Sequence, residues 1–477
     1  MTQKTIAKNT VWMTTASVLQ KLVAFAYFAI IARNIGAENT GNYFFAMSFT
    51  TIFAVFIDLG LTNVLVREGA KKQEKISDYL SAIFFVKVFS AVLSYLSIIL
   101  AINLMGYGAD VKILVFISGL TMITDSIHLS FYGALRAVGN LSFESVSMFI
   151  SQLLTMILGT VFIYLKFPLY FLMIAFLIPS FLNVIYSGSI IKFKYKTDFK
   201  VVYNKEVLKY FFAISIPFAL ASIFNRIYSY VDSIILSKLA GAEVVGWYSI
   251  PYKISYAFQF IPIALVAAVY PRFSEYFYVN KERLRYIFEN AVKYLLLLSF
   301  PISIGIFVLA KEIVLNIFTA EYENSIIVLR VLIIGLIFTF VNFLLGAFLN
   351  ACDKQKTQTT LTGIVMLINI VSNLVLIPKY GALGAAISAV FGNIIITIIS
   401  FLIVPSVMKL SYKFLIKTFF QITLASVVMG VFVCYTKSVS NFYFAILVGV
   451  LIYPVLLFIT KTINIRQIKE ALRLIKN

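Results

Sequence analysis

Four cations stand where cations are expensive. Lys21, Lys87, Arg226 and Lys253 each fall inside an apolar run long enough to cross a bilayer as a helix. A charge near the centre of such a helix costs roughly 2.5 to 3.5 kcal/mol on insertion scales, so it faces a protein interior or a wet cavity. Lys21 lies about ten residues, or roughly 15 Å, into the first run. Thr14, Ser17 and Lys21 share a helical face, as do Ser222, Arg226, Ser229 and Ser233, and Ser249, Lys253 and Tyr256. Three polar stripes with uncompensated cations suit a polyanionic head group such as a pyrophosphate, because charge-assisted hydrogen bonds are strong where the dielectric is low. The competing readings are structural: Arg226 can pair with Asp232, and a lysine near a helix end, Lys87 above all, can snorkel to the interface.

The acids within the runs are Asp58, Asp125 and Asp232. Asp125 and the single histidine, His128, are three residues apart and share a face with Thr121 and Tyr132, an arrangement able to respond to protons or cations, or simply to pack. Asp58 opens Asp58-Leu59-Gly60-Leu61-Thr62-Asn63, ahead of Arg67-Glu68, where a bridge at a helix end is the expected role. The four groups are candidates for ion coupling or gating. Pro217, Pro251, Pro262 and Pro301 lie inside runs and are expected to bend them.

Several chemistries have no foothold. There is no G-x-x-x-x-G-K-[ST] phosphate loop, no H-E-x-x-H and no G-x-S-x-G. Cys352 and Cys434 are too few and too far apart for a disulfide framework or a metal site. No metal, cofactor or bond-making reaction is expected.

The elements that must position these residues are membrane helices. Of 477 residues 61% are hydrophobic and 13% charged, with mean hydropathy +0.95, and apolar runs recur along the whole chain. The predicted fold is all-α and integral to the membrane, with about fourteen spans. The expected divisions are an N-terminal lobe at 1–191 (spans 1 to 6), a basic cytoplasmic linker at 192–209, a second lobe at 210–404 (spans 7 to 12), and spans 13 and 14 with a basic tail at 405–477. The net charge of +20 is mostly topology. With the N-terminus inside, 28 of the 40 Lys and Arg fall in loops on that side and 8 on the other. Basic loops stay cytoplasmic, so both termini are predicted inside, and nucleic acid is not the partner. In the tail, Ile465, Ile468, Leu472 and Ile475 alternate with basic residues at helical spacing, which suits either the anionic inner leaflet or an ordinary stop-transfer end.

An internal repeat organises the chain. Arg33-Asn34-Ile35-Gly36-Ala37-Glu38-Asn39-Thr40-Gly41-Asn42-Tyr43 matches Lys238-Leu239-Ala240-Gly241-Ala242-Glu243-Val244-Val245-Gly246-Trp247-Tyr248, 205 residues on. The same offset carries Lys21 onto Arg226. Two pseudo-symmetric six-helix lobes that start on the same side are parallel repeats, and transporters of that plan bind substrate between them and rock to alternate access.

Asn9-Thr10 entering span 1, the Arg33 to Tyr43 segment, Asp58-Leu59-Gly60-Leu61, Val66-Arg67-Glu68 and Ile377-Pro378-Lys379-Tyr380-Gly381-Ala382 together resemble the bacterial polysaccharide repeat-unit (O-antigen, Wzx-type) flippases of the multidrug/oligosaccharidyl-lipid/polysaccharide superfamily. The resemblance implies a V-shaped bundle in the bacterial cytoplasmic membrane. It would flip undecaprenyl-pyrophosphate-linked oligosaccharide to the outer leaflet through a cavity lined by spans 1, 2, 7 and 8, with membrane lipids, a polymerase and chain-length machinery as partners. Spans 13 and 14 would form a groove for the lipid tail. A lipid II flippase, a multidrug antiporter and a membrane-embedded polysaccharide polymerase are the competing readings. An antiporter would want an acid-rich cation site, and a polymerase a large outer loop with reactive residues, which is not visible.

Overall fold

The computed structural model describes residues 3–195, 205–460 and 462; the alternation of basic and apolar residues from Lys461 to Asn477 and the middle of the basic linker lie outside them. Among the described residues no strand occurs. The helices are α1 (Gln3–Asp58), α2 (Leu61–Lys71), α3 (Ile76–Leu104), α4 (Ala109–Ala137), α5 (Ser142–Tyr164), α6 (Phe171–Ser189), α7 (Lys205–Ala240) and α8 (Ala242–Ala257). They continue with α9 (Phe260–Val279), α10 (Lys281–Val308), α11 (Ala310–Ile317), α12 (Ser325–Ala351), α13 (Gln355–Tyr380), α14 (Ala382–Ile403), α15 (Tyr412–Val439) and α16 (Phe442–Ile459).

Twelve of the described stretches are long and apolar enough to span a membrane, or 13 with α7, whose parts Lys205–Ile216 and Ala219–Ala240 meet at 51°. The first, Trp12–Asp58, is 47 residues long and holds both of the first two expected spans. The large side chains these helices leave uncovered are apolar, for example Leu96 and Leu100 of α3, Leu424 and Val431 of α15 and Leu451 of α16, as lipid rather than water requires.

The chain forms two compact units: Met1–Ser249 with Thr362–Ala382, and Ile250–Leu361 with Leu383–Asn477. In the first, α1 packs on α4, α5 and α7, and α4 on α6; in the second, α10 packs on α12 and α15, and α15 on α16. This grouping by packing cuts across the repeat boundary, since α7 and α13 sit with the first unit.

Lipid gives apolar helices no reason to prefer one another, so they associate through close packing and polar contacts. The repeat shows how. Gly36 (φ 78°) and Gly241 (φ 90°), equivalent in the two copies, both occupy the left-handed region that turns the chain between helical segments. Gly41 and Gly246, also equivalent, bring the copies together. A Cβ on Gly41 would meet the Ala242 carbonyl oxygen at 1.8 Å, and one on Gly246 the Ala37 carbonyl oxygen at 2.1 Å. Since Ala37 and Ala242 are themselves equivalent, the contact is reciprocal, and glycine is required on both sides of it.

Two of the expected proline bends are visible. The break in α7 falls between Ile216 and Ala219, around Pro217. The break between α8 and α9 lies at Phe258-Gln259; Pro262 has no N–H to offer the Phe258 carbonyl, which accepts instead from Ile261 N at 3.1 Å in a tighter turn. α10 continues through Pro301 and α8 through Pro251.

Candidate functional site

The first unit holds two adjoining, partly open cavities with polar groups on largely apolar walls. The larger, about 480 Å³, lies among α1, α2, α4, α6 and α7. Its walls carry hydroxyls from Thr50, Thr51, Ser118, Thr121, Ser222 and Tyr230, the carboxylates of Asp58 and Asp125, and the guanidinium of Arg226. The other, about 420 Å³, lies among α1, α4, α5 and α6 and shares Met47, Thr121, Asp125, Leu129, Arg136 and Phe176 with the first. Asp125 therefore stands at the junction.

Arg226 is exposed on α7, one turn from Ser222 and one from Tyr230, so three polar groups of the helix reach the cavity together. It has no ion-pair or hydrogen-bond partner among the described residues. The alternative pairing with Asp232 does not form. Asp232 is buried and accepts from Tyr248 Oη at 3.0 Å and from Asn373 Nδ2 at 2.6 Å.

The other expected cations have different surroundings. Lys87 on α3 is buried with its ammonium 2.5 Å from Asp58 Oδ1, 3.0 Å from Thr62 Oγ1 and 2.9 Å from the Ser126 carbonyl. All three donors are matched, and the Thr62 hydroxyl also donates to Asp58. Asp58 thus forms the helix-end bridge its position suggests, neutralising Lys87 while its carboxylate still borders the larger cavity. Lys21 on α1 is half-buried and is on the wall of neither cavity. Lys253 belongs to the second unit.

The face shared by Thr121, Asp125, His128 and Tyr132 lines the second cavity. His128 Nδ1 is 3.8 Å from Asp125 Oδ1, its ring meets Tyr132 edge-on with centroids 5.4 Å apart, and Asp125 also accepts from the Ser180 hydroxyl. Beside it, Arg136 grips Glu144 in a two-pronged ion pair, its Nε 2.7 Å from Oε2. Sequence reasoning counted Arg136 as a loop cation and passed over Glu144. The available signal was an acid in the first turn of span 5 facing a base at the end of span 4. The amides Gln20, Gln152 and Asn183 on the second cavity wall have no sequence signal beyond being polar within apolar runs, since they fall on three different helices. Among the described residues no group of three His, Cys, Asp or Glu side chains is placed to hold a metal ion.

The family model described as polysaccharide biosynthesis protein matches residues 6–277, more than half the chain. The chain belongs to the polysaccharide biosynthesis protein family. A second model, MatE, matches residues 217–375, and the two together place the chain in the superfamily the sequence motifs resemble. Among its relatives, the capsular polysaccharide biosynthesis protein CapF of Staphylococcus aureus is 26% identical over 80% of this chain and 95% of its own length. A probable low-salt glycan biosynthesis flippase, Agl15, of Haloferax volcanii is 22% identical over 98% of this chain and 99% of its own. Among solved structures, the lipid II flippase MurJ in an inward closed conformation superposes with a TM-score of 0.76 at 21% identity, over 94% of this chain and 98% of that one. That likeness establishes the fold.

Proposed function

We propose that this family member flips an undecaprenyl-pyrophosphate-linked oligosaccharide across a bacterial cytoplasmic membrane by alternating access, with both termini in the cytoplasm. The observation that carries the reading is Arg226: an arginine inside a span, on a cavity wall rich in hydroxyls, with no acid paired to it among the described residues. A fork of five N–H donors matches phosphate oxygens, and the Ser222 hydroxyl, one turn away on the same wall, supplies a further donor. Asp125 on the same wall limits the anion's reach towards the second cavity. With Lys87 neutralised by Asp58, the anion site rests on Arg226, with Lys21 and Lys253 as further candidate cations. Asp125 with His128 is the proposed coupling pair, and Asp232 a gating group. A polymerase and its chain-length machinery would act on the product.

The test is export. Losing a charge-assisted hydrogen bond is worth about 1.5 to 3 kcal/mol, so Arg226→Ala is expected to lower surface polysaccharide by about tenfold or more at unchanged protein level, with partial recovery in Arg226→Lys. Normal polymer in Arg226→Ala refutes the anion site. The MurJ-like fold favours lipid II as the second reading, and rescue of a strain lacking its lipid II flippase, with no effect on polymer export, selects it.

A further inference from the structure

The second cavity holds groups that an anion site does not need. Gln20 of α1 and Gln152 of α5 lie on its wall inside membrane spans, and neither has a hydrogen-bond partner among the described residues. Both side chains are half-buried, so their donors and acceptors stay open to water or to a ligand. Asn183 of α6 is half committed: its Oδ1 accepts from Ser147 Oγ and, at 3.5 Å, from Tyr132 Oη, and no described partner takes its Nδ2. The ring of Phe176 borders the same space, whereas that of Tyr132 is 2% exposed and reaches it only at its edge. Amides that offer donor and acceptor together, beside an aromatic ring, suit sugar hydroxyls and the apolar face of a pyranose ring.

The charges sharpen the class. Arg136 is neutralised by Glu144, whose side chain is buried, and the remaining acid, Asp125, sits where the two cavities meet. A carboxylate there accepts from neutral hydroxyls and repels another carboxylate. The shared wall places the second cavity next to the one that holds Arg226.

We infer that the second cavity is a sugar subsite: with the pyrophosphate at Arg226, the first sugar of the lipid-linked oligosaccharide lies against Gln20, Gln152 and Asn183, and neutral sugars are selected over uronic acids. This rests on the proposed flippase function and adds to it a basis for specificity. A site built to hydrogen-bond a hydroxyl discriminates strongly against ligands that lack it, since its polar groups are then left unpaired.

The test uses the full chain purified in detergent and two probes, a short-chain polyprenyl pyrophosphate with and without one N-acetylhexosamine. The sugar is expected to tighten binding by about tenfold or more. In Gln152→Met and Gln20→Met, which keep volume and remove the amide, the ratio of the two dissociation constants is expected to collapse towards one. In Arg226→Ala both probes weaken and the ratio persists. An unchanged ratio in both glutamine variants overturns the sugar subsite and leaves the anion site standing, whereas unchanged binding of the sugar-free probe in Arg226→Ala overturns the anion site. A measurement on the unaltered protein avoids any folding defect. A probe carrying hexuronic acid in place of N-acetylhexosamine is expected to bind at least tenfold more weakly, and equal binding refutes the selection.

Discussion

Replacing Lys87 with methionine separates a substrate cation from a structural one. Met fills most of the lysine volume, so packing changes little, but three contacts of the ammonium are lost together, those to Asp58 Oδ1, Thr62 Oγ1 and the Ser126 carbonyl, and Asp58 Oδ1 keeps only the Thr62 hydroxyl. Breaking a buried ion pair by removing one partner costs about 3 to 5 kcal/mol. Here the Lys87 side chain is 1% exposed but that of Asp58 is 29% exposed, so the stranded carboxylate keeps some contact with the cavity and the lower end, about 3 kcal/mol, is expected. The double variant Lys87→Met with Asp58→Asn removes both charges, leaves Thr62 an amide partner, and is expected to recover at least half of the loss, because replacing both partners avoids an orphan charge. The assay is a double-mutant cycle read by denaturant unfolding of purified protein in micelles, with export measured on the same variants. Stability within about 0.5 kcal/mol of the parent for Lys87→Met, or a double variant as unstable as the sum of the singles, refutes the structural assignment. Lost export at parental stability would return Lys87 to the list of substrate cations.

Further outcomes follow from the same contacts. Gly41→Ala puts its Cβ 1.8 Å from the Ala242 carbonyl oxygen, so the two copies of the repeat must part by about 1.5 Å to reach an ordinary contact, and overpacking of about 1 to 3 kcal/mol is expected. Gly246→Ala should behave alike, while Gly108→Ala, whose Cβ meets nothing within 4 Å, should leave the melting temperature unchanged; equal behaviour of all three contradicts the seam. At Glu68, the hydrogen bond from Lys71, helped by one from Tyr210 Oη at 3.1 Å, holds the carboxyl below its ordinary value of 4.5. A depressed folded value means that the stabilisation is complete above the ordinary value and is lost as pH falls through the depressed one. Amide exchange in α2 should therefore quicken on acidification below that range, and Glu68→Gln should flatten the dependence; an unchanged profile in Glu68→Gln counts against the contact.

Much of the fold was legible in the chain because hydrophobic length is a one-dimensional property: each run of about 20 apolar residues must become a helix in lipid, whatever its neighbours do. The repeat was legible too, since Gly36 and Gly41 recur at Gly241 and Gly246, and so were the cost of charge at Arg226 and the shared face of Asp125 and His128, which helical spacing alone fixes. The motif's meaning was not, because nothing in one dimension says that the two copies touch each other, glycine against alanine carbonyl, in both directions.

Partnership was decided only by tertiary structure. From sequence, Lys87, Arg226, Lys21 and Lys253 were all cations inside apolar runs, with Lys21 and Arg226 equivalent in the repeat and Lys87 nearest a helix end. Packing of α3 against the ends of α1 and α2 gives Lys87 to Asp58, while α7 holds Arg226 on a cavity wall and Tyr248 and Asn373 take up Asp232. The linker from span 4 to span 5 hid Arg136 and Glu144, eight residues apart and bonded across it. A sequence determines what each residue costs in a membrane; which neighbour offsets that cost depends on residues distant in the chain, and only their packing in three dimensions sets it.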